Sequence, residues 1–215
     1  MEEDGGCLAS FIDRGSVESH RYFLARRTVL EMLRDRGYAV SAVEIEQSLS
    51  QFRSVHGQQP DLERIRISAS LLSDPSQKVL TIFCGSGPFK LANLRGIIDR
   101  IKNEIFLRMI LVLEGKLTHQ ARQATKELPF TVEIFQINEL LVNVTKHVLM
   151  QAHEILTEQD KQKLLNKYGL KENQLPRMLA SDAIARYYGL EPGQVVKVTH
   201  DGEDTGFHAT YRCVV

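Results

Sequence analysis

The sequence has 215 residues, enough for one or two domains, and its hydrophobic content of 43% is sufficient for real cores. Its 27 basic and 27 acidic residues balance, whereas a free-standing DNA-binding protein usually has a basic excess. No apolar run approaches the ~20 residues of a membrane span, and the sequence does not open on a secretory signal pattern. Cys7, Cys84 and Cys213 lack metal-ligand or disulfide spacing, which fits a reducing cytosol or nucleus.

Helical and strand patterns alternate through the first two thirds of the chain. Residues 1–16 are acidic, glycine-containing and aperiodic, and we expect a flexible tail there. A capped helix is predicted up to Arg36, and a capping box at Ser41 opens a second helix that ends at His56. Strands are predicted at 64–68, 79–84, 109–113 and 130–135, and helices at 91–101 and 118–126. This alternation predicts an α/β domain over 17–144.

The remaining residues, 145–215, read as a small mixed domain that follows a joint at 143–152. Helices are predicted to begin at the caps Thr157 and Ser181 or Asp182 and to end at Gly169 and Gly189. A turn is predicted at Pro192-Gly193. A strand at 195–198, a polar loop at 201–206 and a returning strand at 207–215 complete a β-hairpin. Because this set of elements is self-contained, we expect a fragment from about residue 145 to fold alone.

The strongest enzymatic pattern is Glu114-Gly115-Lys116, which follows an apolar strand and has Asp74 upstream. Metal-dependent nucleases use two carboxylates to hold Mg²⁺ and a lysine to steady the attacking water. Against this reading, such patterns arise often by chance, Asp74 belongs to a turn, and no second carboxylate pairs with it. The stretch 85–90 lacks the order of a phosphate-binding loop, and no histidine has a partner at ligand spacing. We therefore predict no catalytic, metal-binding or cofactor-binding residue.

A dense set of residues at fixed spacings closes the chain. These residues are Leu175-Pro176-Arg177, Asp182-Ala183-Ile184-Ala185-Arg186-Tyr187-Tyr188-Gly189-Leu190, Gly193-Gln194-Val195-Val196-Lys197 and Tyr211-Arg212. Their order resembles the C-terminal assembly domain of the fifth subunit of eukaryotic nuclear RNA polymerases, a domain that archaeal RNA polymerases also contain as a small subunit. The resemblance extends upstream to Arg21 and therefore covers nearly the whole chain.

The resemblance implies a two-domain, non-catalytic polymerase subunit with an α/β (α+β) fold, no cofactor and no membrane association. The N-terminal domain would be a nuclease-like jaw without the nuclease active site, beside downstream DNA in the assembled enzyme. Thr118, His119 and Gln120 would lie nearest that DNA, although a plain helix cap is the alternative for Thr118.

The C-terminal assembly domain, ending in the β-hairpin, would dock on the largest subunit beside neighbouring small subunits. The docking residues that the resemblance implies are Pro176, Arg177, Asp182, Arg186, Tyr187, Gly193, Lys197, Tyr211 and Arg212.

The segment 200–208 departs from the RNA polymerase II pattern of the family. Three positions that are basic in that pattern are His200, Asp201 and Phe207 here, and Asp204 adds a carboxylate. These departures argue against the subunit shared by RNA polymerases I, II and III. The N-terminal extension, the Ser-His-Arg-Tyr-Phe-Leu-Ala-Arg-Arg run at 19–27 and the Tyr-Arg-Cys-Val ending at 211–214 look instead like the variant in plant RNA polymerase V, a nuclear enzyme of RNA-directed DNA methylation and gene silencing. We therefore expect the 200–208 loop to help select the largest subunit, with neutral drift in an exposed turn as the alternative.

Three other functions stay open from the sequence alone. The chain could be the fifth subunit shared by RNA polymerases I, II and III. It could be a Mg²⁺-dependent nuclease that uses Glu114 and Lys116, or it could be a stand-alone interaction module. A nuclease assay and co-purification with polymerase subunits separate these alternatives.

Overall fold

The computed structural model describes residues 15–102, 104–202 and 206–215, with the backbone alone at 201, 202, 206 and 207. The chain divides into two compact units, one ending at Val142 and the other spanning Asn143–Val215. Each unit contains helices and one four-stranded mixed sheet, which confirms the predicted mixed α/β fold class. No helix in the described ranges combines the length and apolar character needed to cross a bilayer.

The sheet of the first unit has the strand order β1-β2-β3-β4. Its strands are β1 (Ile67–Ser70), β2 (Lys78–Cys84), β3 (Arg108–Leu113) and β4 (Thr131–Gln136). β1 is antiparallel to β2, whereas β2, β3 and β4 are parallel to one another. Both β2 and β3 are interior strands, and their near-continuous burial agrees with their apolar sequences.

Helices supply the apolar partners of this sheet. The helices are α1 (Val17–Asp35), α2 (Ala42–Glu46), α3 (Leu49–His56), α4 (Leu91–Ile101) and α5 (His119–Lys126). α4 and α5 pack on the face that carries Leu80, Met109 and Leu111. α1 lies on the opposite face, where the Tyr22 ring meets the Phe83 ring edge-on at 6.1 Å. Strands that are covered on both faces are mostly apolar, which is why β2 and β3 do not alternate between apolar and polar residues.

Two elements of the first unit differ from their predicted positions. The predicted second helix is two helices, because Ser41 makes no side-chain capping bond while Ser48 and Gln51 form the capping box that starts α3. The strand predicted at 64–68 begins only at Ile67, because the amide of Ile65 donates to the Asp61 carbonyl and keeps the chain in a turn.

A partly buried cluster of three charges joins α1 to the sheet. Glu133 on β4 accepts from Arg36 at 2.7 Å and from Arg108 at 2.7 Å, and the Glu133 side chain is 15% exposed. Burial alone would raise the pKa of Glu133, but the hydrogen bonds and charges of Arg36 and Arg108 outweigh it and hold the pKa below its usual value. The carboxylate therefore stays ionised and ties the end of α1 to two strands.

The second unit is organised by a β-hairpin with a helix on each face. Its elements are β5 (Ala152–Ile155), α6 (Glu158–Tyr168), β6 (Arg177–Met178), α7 (Ala183–Tyr188), β7 (Val195–Gly202) and β8 (Gly206–Val214). The strand order is β5-β7-β8-β6, with β6 parallel to β8 and the other pairs antiparallel. Leu164 and Leu165 of α6 pack with Val195, whereas Ile184 of α7 packs with Val196.

The helix boundaries of the second unit follow the predicted caps. Thr157 caps α6 and Asp182 caps α7, and Gly189 ends α7 in the left-handed region with a φ of 63°. Two expectations need correction: β5 begins at Ala152, the last residue of the predicted joint, and the strands of the hairpin pair through Gly202↔Gly206, so Asp201, Gly202 and Gly206 of the predicted loop belong to strands. Residues 203–205 lie outside the described residues.

The second unit begins at Asn143, two residues before the predicted boundary. Asn143 is 7% exposed, donates to the Tyr187 hydroxyl at 3.1 Å and accepts from both the amide and the hydroxyl of Thr145. This buried amide side chain therefore belongs to the core of the second unit and fixes how the chain enters it.

We predict that fragment 143–215 folds alone and is more stable than fragment 145–215 by about 1–3 kcal/mol, because the shorter one leaves buried polar groups without Asn143. Urea unfolding followed by circular dichroism measures the difference. The variant Asn143→Ala in the longer fragment should reproduce most of the loss. Equal stability of the two fragments would contradict this role of Asn143.

We predict that Glu133→Gln lowers the free energy of unfolding by about 3 kcal/mol, because it leaves two arginines at a poorly solvated site without a counter-charge. Since the folded-state pKa of Glu133 is lowered, its contribution is complete above the unfolded-state pKa of about 4.3 and is lost as the pH falls through the folded-state pKa. Denaturant unfolding between pH 3 and pH 7 measures this dependence. Exposed Glu127→Gln is the control and should change little.

Candidate assembly surface

The nine residues predicted for docking lie in the second unit, but the structure divides them between two faces and the rim of its sheet. In the β7–β8 pairing, Val196 is opposite Arg212, and Lys197 is opposite Tyr211. Because successive side chains of a strand point to opposite faces, Arg212 lies on the α7 face and Tyr211 on the α6 face. A partner that contacts all of these residues must therefore reach around an edge of the sheet.

On the α7 face, Asp182, Arg186 and Arg212 are at least partly exposed. The Asp182 carboxylate accepts from the amide of Ile184 at 2.9 Å and so holds the first turn of α7. Arg186 lies in the last turn of that helix. Among the described residues, the exposed guanidinium of Arg212 forms no ion pair, which leaves its hydrogen-bond donors available to a partner.

On the α6 face, a row of side chains crosses three strands. Glu154 of β5 accepts from the Nζ of Lys197 at 3.0 Å, and this hydrogen bond raises the pKa of Lys197. Tyr211 on β8 packs against the apolar cluster beneath α6. Arg177 on β6 is exposed and forms no ion pair within the described part of the chain. Within this row, Arg177 is therefore a cation without an ion pair among the described residues, and Lys197 is already neutralised by Glu154.

Three of the predicted docking residues have internal roles. Tyr187 is 4% exposed and its hydroxyl accepts from Asn143, so its side chain is a core group and not a surface contact. The carbonyl of Pro176 accepts from the Cys213 amide at 2.8 Å, and the Gly193 amide donates to the Val214 carbonyl at 2.9 Å. Pro176 and Gly193 therefore position the strands at the rim.

The predicted partner-selecting residues lie at the far end of the hairpin. His200 and His208 are opposite each other, and their rings stack with centroids 4.6 Å apart and planes 4° apart. The backbones of Asp201 and Phe207 are paired in the same ladder, but their side chains lie outside what the structure describes. Asp204 lies outside the described residues altogether.

In the first unit, Thr118 caps α5. Its hydroxyl accepts from the Ala121 amide at 3.4 Å and donates to the Phe89 carbonyl at 3.1 Å. His119 and Gln120 are exposed in the first turn and line a groove of about 620 Å³ between α4 and α5. The Thr118 side chain is thus occupied within the fold, whereas His119 and Gln120 remain accessible.

The structure separates the residues of the nuclease hypothesis. Asp74 precedes β2 and Glu114 follows β3, so in these parallel strands the two lie at opposite ends of the sheet. Six paired residues at about 3.3 Å each place them roughly 20 Å apart along the strands, too far to share one metal ion. Hydrogen bonds from Ser76 and Gln77 lower the pKa of Asp74, and Glu114 lies 3.8 Å from Arg21.

The glycine between Glu114 and Lys116 has a structural reason. A Cβ at position 115 would overlap the carbonyl oxygen of Gly87, so the turns after β2 and β3 touch through their backbones. The Glu-x-Lys spacing is therefore explained by loop packing. No cluster of three or more His, Cys, Asp or Glu side chains in the described ranges could hold a metal ion.

Some features of the second unit were not indicated by any motif. Glu154, which neutralises Lys197, belongs to a strand that was not predicted. Val148 and Leu149 are 92% and 79% exposed, although they belong to the apolar run Val148-Leu149-Met150, a pattern that by itself favours burial.

Comparison with known protein families gives two matches. The model described as RNA polymerase Rpb5, C-terminal domain, matches residues 142–214. The model described as RNA polymerase Rpb5, N-terminal domain, matches residues 16–101. The first of these includes Asn143 and every predicted docking residue.

Similar proteins include several polymerase subunits. The DNA-directed RNA polymerase V subunit 5A of Arabidopsis thaliana is 49% identical over 209 residues, which cover 97% of this chain and 94% of that protein. The subunit 5B of polymerases IV and V from the same plant is 49% identical over 204 residues, covering 94% of each chain. The subunit RPABC1 of RNA polymerases I, II, and III from Caenorhabditis elegans is 33% identical over 206 residues, covering 93% of this chain and 98% of that protein.

We predict that the purified chain does not cleave duplex DNA in the presence of Mg²⁺, because the two carboxylates of the nuclease pattern lie at opposite ends of a sheet. Gel analysis of labelled DNA after prolonged incubation measures this. The matched variant is Glu114→Ala, and wild type and variant should behave alike. Cleavage by wild type that disappears in Glu114→Ala would contradict the prediction.

Proposed function

Because the chain belongs to the Rpb5 family of RNA polymerase subunits, we propose that it serves plant RNA polymerase V and docks through its second unit on the largest subunit of that enzyme. As a member of this family it is a structural, non-catalytic subunit of a DNA-directed RNA polymerase, and its partners are other polymerase subunits. The proposal concerns which polymerase it enters and which surface it uses.

The observation that carries the choice of polymerase is the difference in identity among relatives. A subunit named for polymerase V shares 49% of residues with this chain, whereas the subunit named for polymerases I, II and III shares 33%. The departures at His200, Asp201 and Phe207 favour the same choice. As a subunit of polymerase V, the chain would act in the nucleus, in RNA-directed DNA methylation and gene silencing.

The docking proposal rests on the free charges of the second unit. Arg177 and Arg212 are exposed and without an ion pair among the described residues, and they lie on opposite faces of one sheet. Guanidinium groups in this state suit carboxylates of a partner, which they bind through two parallel hydrogen bonds. We infer that the largest subunit reaches around the rim near Pro176 and Gly193 and pairs with both arginines.

The first unit would form the jaw beside downstream DNA, with His119 and Gln120 as its nearest side chains. The chain carries no excess of positive charge, with 27 basic and 27 acidic residues, so it releases few counterions from DNA by itself. Contact with DNA would therefore depend on the assembled enzyme to hold the duplex in place.

We predict that the chain captures the largest subunit of polymerase V in preference to that of polymerase II in pull-downs from co-expression. The triple exchange His200→Arg, Asp201→Lys and Phe207→Arg should weaken the first capture and strengthen the second. The physical reason is that the exchange reverses the charge of the hairpin end, and like charges across an interface cost several kcal/mol.

The control for this exchange adds positive charge elsewhere in the second unit. Gln159→Arg with Asn166→Arg on the exposed side of α6 should leave both captures unchanged. Wild-type capture of the polymerase II subunit alone would overturn the proposed polymerase. Indifference of both captures to the triple exchange would show that the hairpin end is not the discriminator.

A further inference from the structure

The second sheet ends on the short strand β6, which has β8 on one side only. The Cys213 amide donates to the Pro176 carbonyl at 2.8 Å, and the Val215 amide donates to the Met178 carbonyl at 2.9 Å. Backbone groups alternate in direction along a strand. The N–H and C=O of Arg177, which lies between these two acceptors, therefore point away from β8 and out of the edge of the sheet.

The same edge continues to Leu179. Within the described part of the chain the Leu179 amide donates to no acceptor, whereas the next amide, that of Ala180, donates back to the Val215 carbonyl at 2.9 Å. Arg177 and Leu179 are both exposed, Leu179 to 63%. The edge therefore presents to solvent, at the spacing of a strand, the N–H and C=O of Arg177 and the N–H of Leu179.

A row of backbone donors and acceptors at this spacing defines the chemistry of a ligand. An extended peptide segment offers C=O and N–H groups at the same repeat and can add to a sheet edge as a further strand. Main-chain hydrogen bonds then supply affinity, and the side chains beside the edge supply specificity. The β6 edge thus suits an extended segment of a protein partner.

Charge on the same strand narrows the choice of occupant. The Arg177 guanidinium forms no ion pair among the described residues, so a carboxylate on the added strand would be its counter-charge. A second copy of this chain is the poorer occupant. Two-fold pairing of β6 with itself would set two Arg177 side chains close together, and like charges across a strand pair are destabilising.

The opposite edge of the sheet, β5, provides an internal comparison. The Leu156 amide donates to the Val195 carbonyl at 2.9 Å, which sets the alternation along β5 and directs the backbone groups of His153 outward. The carboxylate of this strand, Glu154, is already paired with Lys197 at 3.0 Å. β5 therefore has outward backbone groups like those of β6, but its carboxylate is neutralised within the sheet.

We infer that an acidic, extended segment of the largest subunit adds to the β6 edge as a fifth strand of the second sheet. This inference rests on the proposed function and deepens it. The backbone groups of Arg177 and Leu179 are the binding site, and the Arg177 side chain pairs with a carboxylate of the added strand. The site belongs to the rim proposed for docking, because Pro176 directly precedes β6.

The test is a competition for the largest subunit of polymerase V, co-expressed with two differently tagged full-length chains, one of them wild type. Arg177→Ala removes the side chain and keeps the outward N–H, whereas Arg177→Pro removes both. Proline is accepted on edge strands where the N–H faces solvent. We expect Arg177→Pro to be captured about tenfold less than Arg177→Ala, because a carbonyl of the added strand is left without its donor.

The matched pair on the other edge is His153→Ala and His153→Pro, and both should be captured as well as wild type. Thermal unfolding shows whether each variant is folded. Hydrogen exchange of the wild-type chain, read residue by residue by mass spectrometry, requires no variant and decides if Arg177→Pro does not fold. The amides of Arg177 and Leu179 should exchange at least about tenfold more slowly in the complex, and the His153 amide should keep its rate.

The outcomes separate the inference from the proposed function. Failure of wild type to be captured by the largest subunit would overturn the proposed function, and the inference with it. Capture of wild type without slower exchange at Arg177 and Leu179, or with equal capture of Arg177→Pro and Arg177→Ala, would overturn the inference alone. Slower exchange of these amides in a dimer of the chain by itself would also overturn it, because a second copy would then occupy the edge.

Discussion

The pairing of β7 with β8 is the interaction on which the second unit depends. It runs from Val195↔Cys213 to Gly202↔Gly206, and both other strands of the sheet attach to it. α6 covers one face and α7 covers the other, so residues that alternate along the hairpin enter two separate apolar clusters. Neither face is left free as a whole, and a partner has to use the rims, the end of the hairpin and the turns.

This constraint explains why the predicted docking residues differ in their roles. Asp182 and Gly193 hold the ends of elements, Tyr187 fills the core, and Arg177 and Arg212 remain at the surface. A residue type that recurs at fixed spacing in a family can therefore serve folding as well as contact. The exposed pair of Val148 and Leu149 lies in none of these motifs.

In the first unit, several arginines form ion pairs within the fold. Arg36 and Arg108 bind Glu133, Arg66 binds Glu104, and Arg100 binds Glu63. Arginines that are paired with carboxylates of the same chain contribute little electrostatic attraction for a phosphate backbone. The parallel strands likewise keep Asp74 and Glu114 at opposite ends of the sheet, so these two carboxylates do not pair. Both features agree with a structural subunit.

The sequence by itself determined the family of this protein, its mixed α/β fold class and the limits of the helices in its second unit. Thr157, Asp182 and Gly189 set the limits of α6 and α7 because capping depends on neighbouring backbone groups. The continuous apolar runs of β2 and β3 indicated interior strands, because a strand that is covered on both faces has apolar side chains on both.

Only the tertiary structure decided what depends on distant residues. β5 was missed because its pairing with β7 joins positions more than 40 residues apart. The core role of Tyr187 required Asn143, and the packing role of Gly115 required Gly87. The sequence likewise did not indicate that Val148 is exposed while Val144 and Met150 pack inward. Apolar residues favour burial, but only the tertiary structure decides which of them has a surface to pack against.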